Sequence, residues 1–360
     1  MGELRLMKGN EAIAEAAIRA GTDAYFGYPI TPQSEVIEYL MEHKPYETTG
    51  MVVLQAESEI AAINMCYGGA SCGRMVMTSS SSPGISLKME GISYLAGAEL
   101  PALILNCVRG GPGLGDIQPS QGDYFQATKG GGHGDYRLYV LAPSSVQEMC
   151  DFVKTGFKMA FKYLNPCMIL SDGAIGQMME KVELFDPVRR RTPEEIEKQC
   201  PWATIGKKTN RERNIITSLI LDPYEQEKHV KKLKAKYDRM QNEDVLFEKI
   251  QCDDAEFVIV AYGSSARISQ KAVDIARSQG IKLGLFRPIT LFPFPSKELN
   301  KLSKQLKGAL SVELNTGQMV EDVKLAVECK IPVYHFGRYG GVIHTPDEIL
   351  NVIKSKFIGV

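Results

Sequence analysis

The sequence predicts an α/β fold of two open, mainly parallel-sheet units. Three observations lead there. Short apolar runs alternate with helical stretches from Met7 to Pro187, the pattern of strands joined by crossover helices. The alternation then gives way to a charged segment over 189–250. A second alternation opens at Phe257-Val-Ile-Val-Ala-Tyr-Gly-Ser-Ser265. The expected division is therefore 1–188, a linker or bridging helix over 189–250, and 251–360. That division suits a chain of 360 residues at roughly 150 per domain.

Taken in order, Asn10–Gly21 predicts an amphipathic helix with Asn10 as its cap and Gly21 just past its end. Ala24–Tyr28 predicts a strand stopped by Pro29. Gly50–Leu54, Arg74–Thr78, Pro101–Val108, Leu138–Leu141 and Pro166–Leu170 predict further strands, separated by helices such as Glu59–Gly69 and Ser145–Leu164. Pro223–Glu248 predicts a Lys- and Glu-rich helix with little apolar pattern, a bridge rather than a core element. The second unit predicts a helix running to Gly280 and strands near Leu283–Phe286 and Ala309–Glu313.

Composition narrows the function. With 42 basic against 43 acidic residues and a formal charge of -1, no global field draws the chain to nucleic acid or to an anionic membrane. The amino-terminal residues lack a signal-like apolar core and no run reaches 18 apolar residues, so a cytoplasmic protein is expected. The eight cysteines are scattered, with no C-x-x-C pair and no histidine at zinc spacing. Reduced and mostly buried thiols are expected, and an iron–sulfur cluster held by this chain alone is not.

Several loops at carboxyl ends of predicted strands can carry chemistry, because open α/β sheets bind ligands there. Tyr28-Pro-Ile-Thr-Pro32 places Thr31 in a stiff loop, a pattern that also suits a plain Pro-rich turn. Glu57 and Glu59 stand at a strand-to-helix junction, where the helix dipole favours acids anyway. If one of them is partly buried against neighbours such as Ile60 and Ala61, it can hold or share a proton. Thr78–Gly84 offers hydroxyls and backbone N–H groups before another helix. Arg109-Gly-Gly-Pro-Gly-Leu-Gly115 lacks the dinucleotide spacing. Its Arg109 suits either a two-pronged grip on a carboxylate or a structural salt bridge. His133 lies in a glycine-rich stretch and is expected to fasten a turn. Tyr262–Ser265 fits an anion at a helix N-terminus or, more simply, a tight βα turn.

Together, Tyr28-Pro-Ile-Thr-Pro32, Ser58-Glu-Ile-Ala-Ala62, Ser82-Pro-Gly-Ile-Ser-Leu87 and Arg109-Gly-Gly-Pro-Gly113 resemble the α subunit of the 2-oxoacid:ferredoxin oxidoreductases, in order and spacing, over essentially the whole chain. Phe286–Pro295 resembles that family's transketolase-carboxyl-terminal-like domain. The resemblance implies a thiamine-diphosphate pyrimidine-side domain over 1–188. It places the diphosphate and Mg²⁺ on a β subunit, and iron–sulfur clusters on γ or ferredoxin-like δ subunits that pass electrons to ferredoxin. The sequence agrees in lacking a Gly-Asp-Gly run, Ser171-Asp-Gly173 being the nearest fragment.

By the same resemblance, Glu59 hydrogen-bonds the aminopyrimidine, and Pro29, Ile30, Ser82 and Gly84 line the cofactor site. Thr31 and Arg109 face the oxo and carboxylate groups of the substrate, and coenzyme A collects the acyl group. The 2-oxoglutarate type commonly reads Ser-Thr-Gly-Leu-Pro-Thr after Arg-Gly-Gly-Pro, whereas this chain reads Gly113-Leu-Gly-Asp-Ile-Gln118, placing Gln118 where that type has a substrate-site threonine. With Pro119–Gln126 and Gly130–Tyr136, this resembles the branched-chain, 2-ketoisovalerate type, and 2-oxoglutarate is the alternative substrate. A scaffold subunit that lost the chemistry is a different class, opposed by the joint presence of Thr31, Glu59 and Arg109. A nucleotide-binding oxidoreductase acting alone lacks a dinucleotide fingerprint.

Overall fold

The computed structural model describes residues 2–207 and 212–359; residues 208–211 of the expected bridge lie outside the described residues. Seven strands form the larger sheet, in the spatial order Thr290–Phe292, Tyr139–Leu141, Pro166–Asp172, Ala102–Val108, Val76–Ser80, Ala24–Gly27, Val52–Gln55. All are parallel except the first, which runs antiparallel to Tyr139–Leu141. Ala102–Val108 and Pro166–Asp172 are buried along their whole length. Their unbroken apolar character follows from helices covering both faces of a parallel sheet.

The second sheet has five strands in the order Val333–Gly337, Gly308–Glu313, Phe257–Val260, Leu283–Pro288, Phe247–Ile250. A separate antiparallel pair, Glu3–Lys8 with Met179–Leu184, lies outside both sheets and was not foreseen. No helix among the described residues is long and apolar enough to cross a membrane.

The expected strands of the first unit all form, within a few residues of their sequence bounds. Three local expectations are corrected. The first helix spans Gly9–Arg19 and is capped at Lys8, whose backbone N–H donates to the Glu11 carboxylate at 3.0 Å. Asn10 instead sits inside the helix and reaches across to the Pro32 carbonyl at 2.7 Å. Gly21 does fall past the helix end with φ +76°, where a side chain is disfavoured.

The charged helix ends at Glu243 rather than Glu248, because Phe247–Ile250 pairs antiparallel with Leu283–Pro288 as an edge strand. It is also packed: Leu233, Tyr237 and Met240 form a narrow apolar stripe on the main core. Sequence periodicity alone hid that stripe among lysines. The Arg189–Arg191 run likewise docks, with Arg190 and Arg191 paired to buried Asp23 at 2.8 and 3.5 Å. Six of the eight cysteines are buried, as expected of inert thiols.

The two sheets share chain. After Leu283–Pro288 leaves the second sheet, Ile289 alone separates it from Thr290–Phe292, which closes an edge of the first. Arg287, buried in that crossover, pairs with Glu248 at 2.7 Å and with Glu148. Gln121 forms a polar clasp between the two sheets. Its amide donates to the Tyr262 carbonyl at 2.9 Å and accepts from the Leu314 N–H at 2.9 Å and the Ser265 hydroxyl at 3.0 Å.

The helix Gly263–Ser278 does receive an anion at its N-terminus, and the anion is internal: Asp172 accepts from the Ser264 N–H at 3.2 Å. The other Asp172 oxygen caps Gly173–Gln177. The one fragment near a Gly-Asp-Gly run is thus engaged in joining the two sheets.

Gln121 is 2% exposed and its side chain satisfies three groups on two segments, so Gln121→Ala strands buried donors and acceptors. We expect a loss of about 2–4 kcal/mol, read as a lower apparent melting temperature of the full chain. An unchanged melting temperature would show the clasp to be dispensable.

Candidate active site

Four successive strands in space, Ala102–Val108, Val76–Ser80, Ala24–Gly27 and Val52–Gln55, are parallel and so end on one edge. Their outgoing loops carry Arg109, Ser81, Tyr28–Pro32 and Glu57–Glu59. The chain reverses direction across the sheet between Ala24–Gly27 and Val76–Ser80, and their pairing stops at Tyr25↔Met77. The strand ends therefore splay into the crevice where open α/β sheets hold ligands.

Glu59 opens the helix Glu59–Ser71, behind the Ser58 cap whose hydroxyl accepts from the Ala61 N–H at 3.2 Å. It is 7% exposed, whereas Glu57 is exposed and accepts from the Ser58 hydroxyl. This resolves the two-carboxylate alternative in favour of Glu59 as the enclosed one. Of the two apolar neighbours named from sequence, Ile60 is 50% exposed and Ala61 half-buried.

What encloses Glu59 is Gly84, in the first turn of Ser82–Gly97. A Cβ on Gly84 would stand 2.7 Å from Glu59 Oε1 and 2.1 Å from Ser80 Oγ. Among the described residues no hydrogen bond is made to the Glu59 carboxylate, and its oxygens are not among the fully buried unpartnered atoms, so they open toward solvent. The hydroxyls of Ser80 and Ser81 and the Asn106 amide oxygen are buried nearby without partners. A helix N-terminus, a glycine cradle and an unpartnered carboxylate together fit a ligand that brings its own N–H donor.

The structure brings Thr31 and Arg109 together, but through main chain. Arg109, 7% exposed, donates to the Thr31 carbonyl at 2.9 Å and to the Leu114 carbonyl at 3.2 Å, while its Nε is buried without a partner. It is neither the free fork nor the salt bridge weighed from sequence; it ties two loops. Thr31 is exposed, and Pro29 and Ile30 are half-buried. The loop is further held by Asn10 and Gln177, both donating to the Pro32 carbonyl.

Ser82 joins the next loop to the group, its hydroxyl accepting from the Arg109 N–H at 3.1 Å. Gln118 is exposed, its N–H held by Asp116 at 2.7 Å and its side chain packed where a Cβ on Gly341 would collide. His133 is exposed and edge-on to Tyr94, and the turn it was expected to fasten is fastened by Tyr136, whose hydroxyl accepts from Gly131 and Gly132.

A cavity of about 450 Å³ adjoins these loops, lined by Ser82, Gly111, Pro112 and Asp123 on one side and Asn315 and Gln318 on the other. Burial pushes the Asp123 carboxyl up, against the hydrogen bond it accepts from Asn106 at 2.9 Å. Sequence reasoning missed Asp123 as a site residue. It also missed Lys88, which is wholly buried one turn beyond Gly84. A lone cation within the apolar run Ile85–Met89 was the available signal.

Comparison with known proteins agrees with this geometry. Residues 15–249 match the family described as pyruvate flavodoxin/ferredoxin oxidoreductase, thiamine diphosphate-binding, and residues 255–349 match pyruvate:ferredoxin oxidoreductase core domain II. The ketoisovalerate oxidoreductase subunit VorB of Methanothermobacter thermautotrophicus is 49% identical over 98% of this chain and 97% of its own length. The 2-oxoglutarate synthase subunit KorA of Archaeoglobus fulgidus is 35% identical over 98% of this chain and 99% of its own.

Among solved structures, the 2-oxoglutarate:ferredoxin oxidoreductase of Magnetococcus marinus, described with 2-oxoglutarate, coenzyme A and succinyl-CoA bound, aligns with a TM-score of 0.85 at 26% identity. It covers 98% of this chain, which spans 65% of that longer one. A split-gene transketolase at 12% identity, TM-score 0.56, shares the fold alone. With the first match covering more than half the chain and relatives aligned end to end, this protein belongs to the thiamine-diphosphate-binding pyruvate flavodoxin/ferredoxin oxidoreductase family.

Proposed function

We propose that this chain is the α subunit of a thiamine-diphosphate-dependent 2-oxoacid:ferredoxin oxidoreductase. Its reaction is the oxidative decarboxylation of a small branched 2-oxoacid, 2-ketoisovalerate, to acyl-CoA and carbon dioxide. The observation that carries the reading is Glu59, a carboxylate enclosed behind Gly84 with no donor from its own described chain. The 49% identity to a ketoisovalerate oxidoreductase subunit, against 35% to a 2-oxoglutarate synthase subunit, supports the branched substrate.

The division of labour follows from the residues. Glu59 accepts the N–H of the protonated pyrimidine and holds that proton at the ring nitrogen. Pro29 and Ile30 bound the ring on the loop side, and Ser82 and Gly84 bound it on the helix side. When bound, thiamine diphosphate supplies the nucleophilic carbon that takes up the 2-oxoacid and the electron sink that releases carbon dioxide.

The diphosphate and its Mg²⁺ belong to a β subunit, because the one acidic fragment of the matching kind, Asp172, is occupied in capping two helices. Iron–sulfur clusters and the ferredoxin contact belong to γ or δ subunits. Thr31, exposed at the loop tip, meets the oxo group, and Arg109 positions that loop on the side of the substrate carboxylate. Gln118 borders the substrate's side chain. The working division is a cofactor unit over 1–188, a bridge over 189–250 and a second unit over 251–360, across which Phe247–Ile250 pairs into the second sheet and Thr290–Phe292 into the first.

In the assembled complex, Glu59→Gln should lower coenzyme-A-dependent viologen reduction by roughly 100-fold or more without loss of subunit assembly by gel filtration. Full activity in that variant would favour a scaffold role. Gly84→Ala should produce a comparable loss, because its methyl group occupies the space beside Glu59 Oε1; wild-type turnover would refute the cradle. Across pyruvate, 2-oxoglutarate and 2-ketoisovalerate, the branched acid should give the highest kcat/KM. A profile led by 2-oxoglutarate would keep the mechanism and overturn the substrate.

A further inference from the structure

Lys88 is a charged side chain in an apolar place. It lies on the helix Ser82–Gly97, is 0% exposed, and its ammonium donates to Thr78 Oγ1 at 2.7 Å. Burying an ammonium against a neutral hydroxyl is costly unless an opposite charge is close, and methionine or leucine would fill the volume without that cost. Gly84 and Lys88 are four residues apart and so share one face of the helix. Gly84 lies against the Glu59 carboxylate, and Lys88 follows one turn later on the same helix, beyond ion-pair distance of that carboxylate.

The charges that Lys88 feels come from Cys66 and Glu59, both on the helix Glu59–Ser71 packed against it. The strand beneath presents the Thr78 hydroxyl. Burial pushes the Cys66 thiol up to about 12, so it is neutral over the working range. That leaves the Glu59 carboxylate as the group able to answer the ammonium across the packed helices.

We propose that Lys88 is a positioning residue whose ammonium is the counter-charge that keeps Glu59 an ionised acceptor for the pyrimidine, from within a wall that solvent does not reach. This rests on the reading of Glu59 given above. An ionised Glu59 requires the pyrimidine to take a proton from solvent as it binds, so binding is accompanied by uptake of about one proton. Without the cation, the enclosed carboxyl carries a proton beforehand and uptake falls. Burial also pushes the Lys88 ammonium down to about 8. The counter-charge is therefore present below that pH and lost above it, which gives turnover an alkaline limb.

The test uses the assembled complex freed of cofactor and titrated calorimetrically with thiamine diphosphate and Mg²⁺, at neutral pH, in two buffers of different ionisation enthalpy. Wild type and Lys88→Arg should take up a proton, and Lys88→Met less than half as much. Turnover in Lys88→Met should fall roughly tenfold or more, and the alkaline limb should move upward in Lys88→Arg. Equal uptake in Lys88→Met and wild type would overturn the proposal.

If Lys88→Met does not assemble, Lys88→Arg decides: a limb that stays near its wild-type pH overturns it. Glu59→Gln separates the two readings. Abolished uptake in Glu59→Gln with unchanged uptake in Lys88→Met would sink only the role of Lys88. Undiminished uptake in Glu59→Gln would remove the Glu59 reading and the role of Lys88 with it.

Discussion

The closeness of Gly84 to Glu59 governs the arrangement of this site. Two helices begin at the same edge of one parallel sheet, and the first turn of one presses against the first residue of the other. Only a residue without a side chain allows the approach. The carboxylate is thereby enclosed and oriented toward the crevice, yet left without a donor. A carboxylate so placed stands ready for a ligand that brings a donor. The site is thus held open by packing and completed by binding.

The loops around that carboxylate are held by bonds that come from distant parts of the chain. Asn10 and Gln177 fix the Pro32 carbonyl, Arg109 fixes that of Thr31, and Ser82 fixes the backbone of Arg109. The second unit fastens to the same edge through Gln121 and Asp172, which meet the helix Gly263–Ser278 and the segment after Gly308–Glu313. The Pro119–Gln126 stretch, which carries part of the subtype resemblance, is therefore also a structural joint. Phe125 N–H and Tyr124 hydroxyl extend it to Gln318 and Asp322. A motif can mark a substrate class and hold two sheets together at once, because the loops nearest the ligand are also those nearest the partner unit.

Legibility differed between elements for physical reasons. Strands buried on both faces were readable because their apolar runs are continuous, as in Ala102–Val108. Short pieces whose strand character depends on a distant partner were not: Glu3–Lys8 is largely exposed, and Thr290–Phe292 is three residues long. The charged helix Pro223–Glu243 concealed its packing stripe because three buried apolar positions among lysines leave little periodic signal. In the candidate site, Thr31, Glu59, Ser82, Gly84 and Arg109 were named from motif order, and the structure sets them along one edge of the sheet. That Arg109 donates to backbone carbonyls was not, because no local pattern specifies where a long side chain ends.

The sequence by itself determined the α/β class, the order of loops along the chain and the residue types at their tips, since alternation and turn chemistry are local properties. The tertiary structure decided which tips meet. It chose Glu59 over Glu57, put Gly84 against it, buried Lys88 on Thr78 one turn beyond Gly84, and set Asp172 to joining the sheets. Those choices depend on strand order and helix contact, which bring together residues tens of positions apart and which no window of sequence encodes.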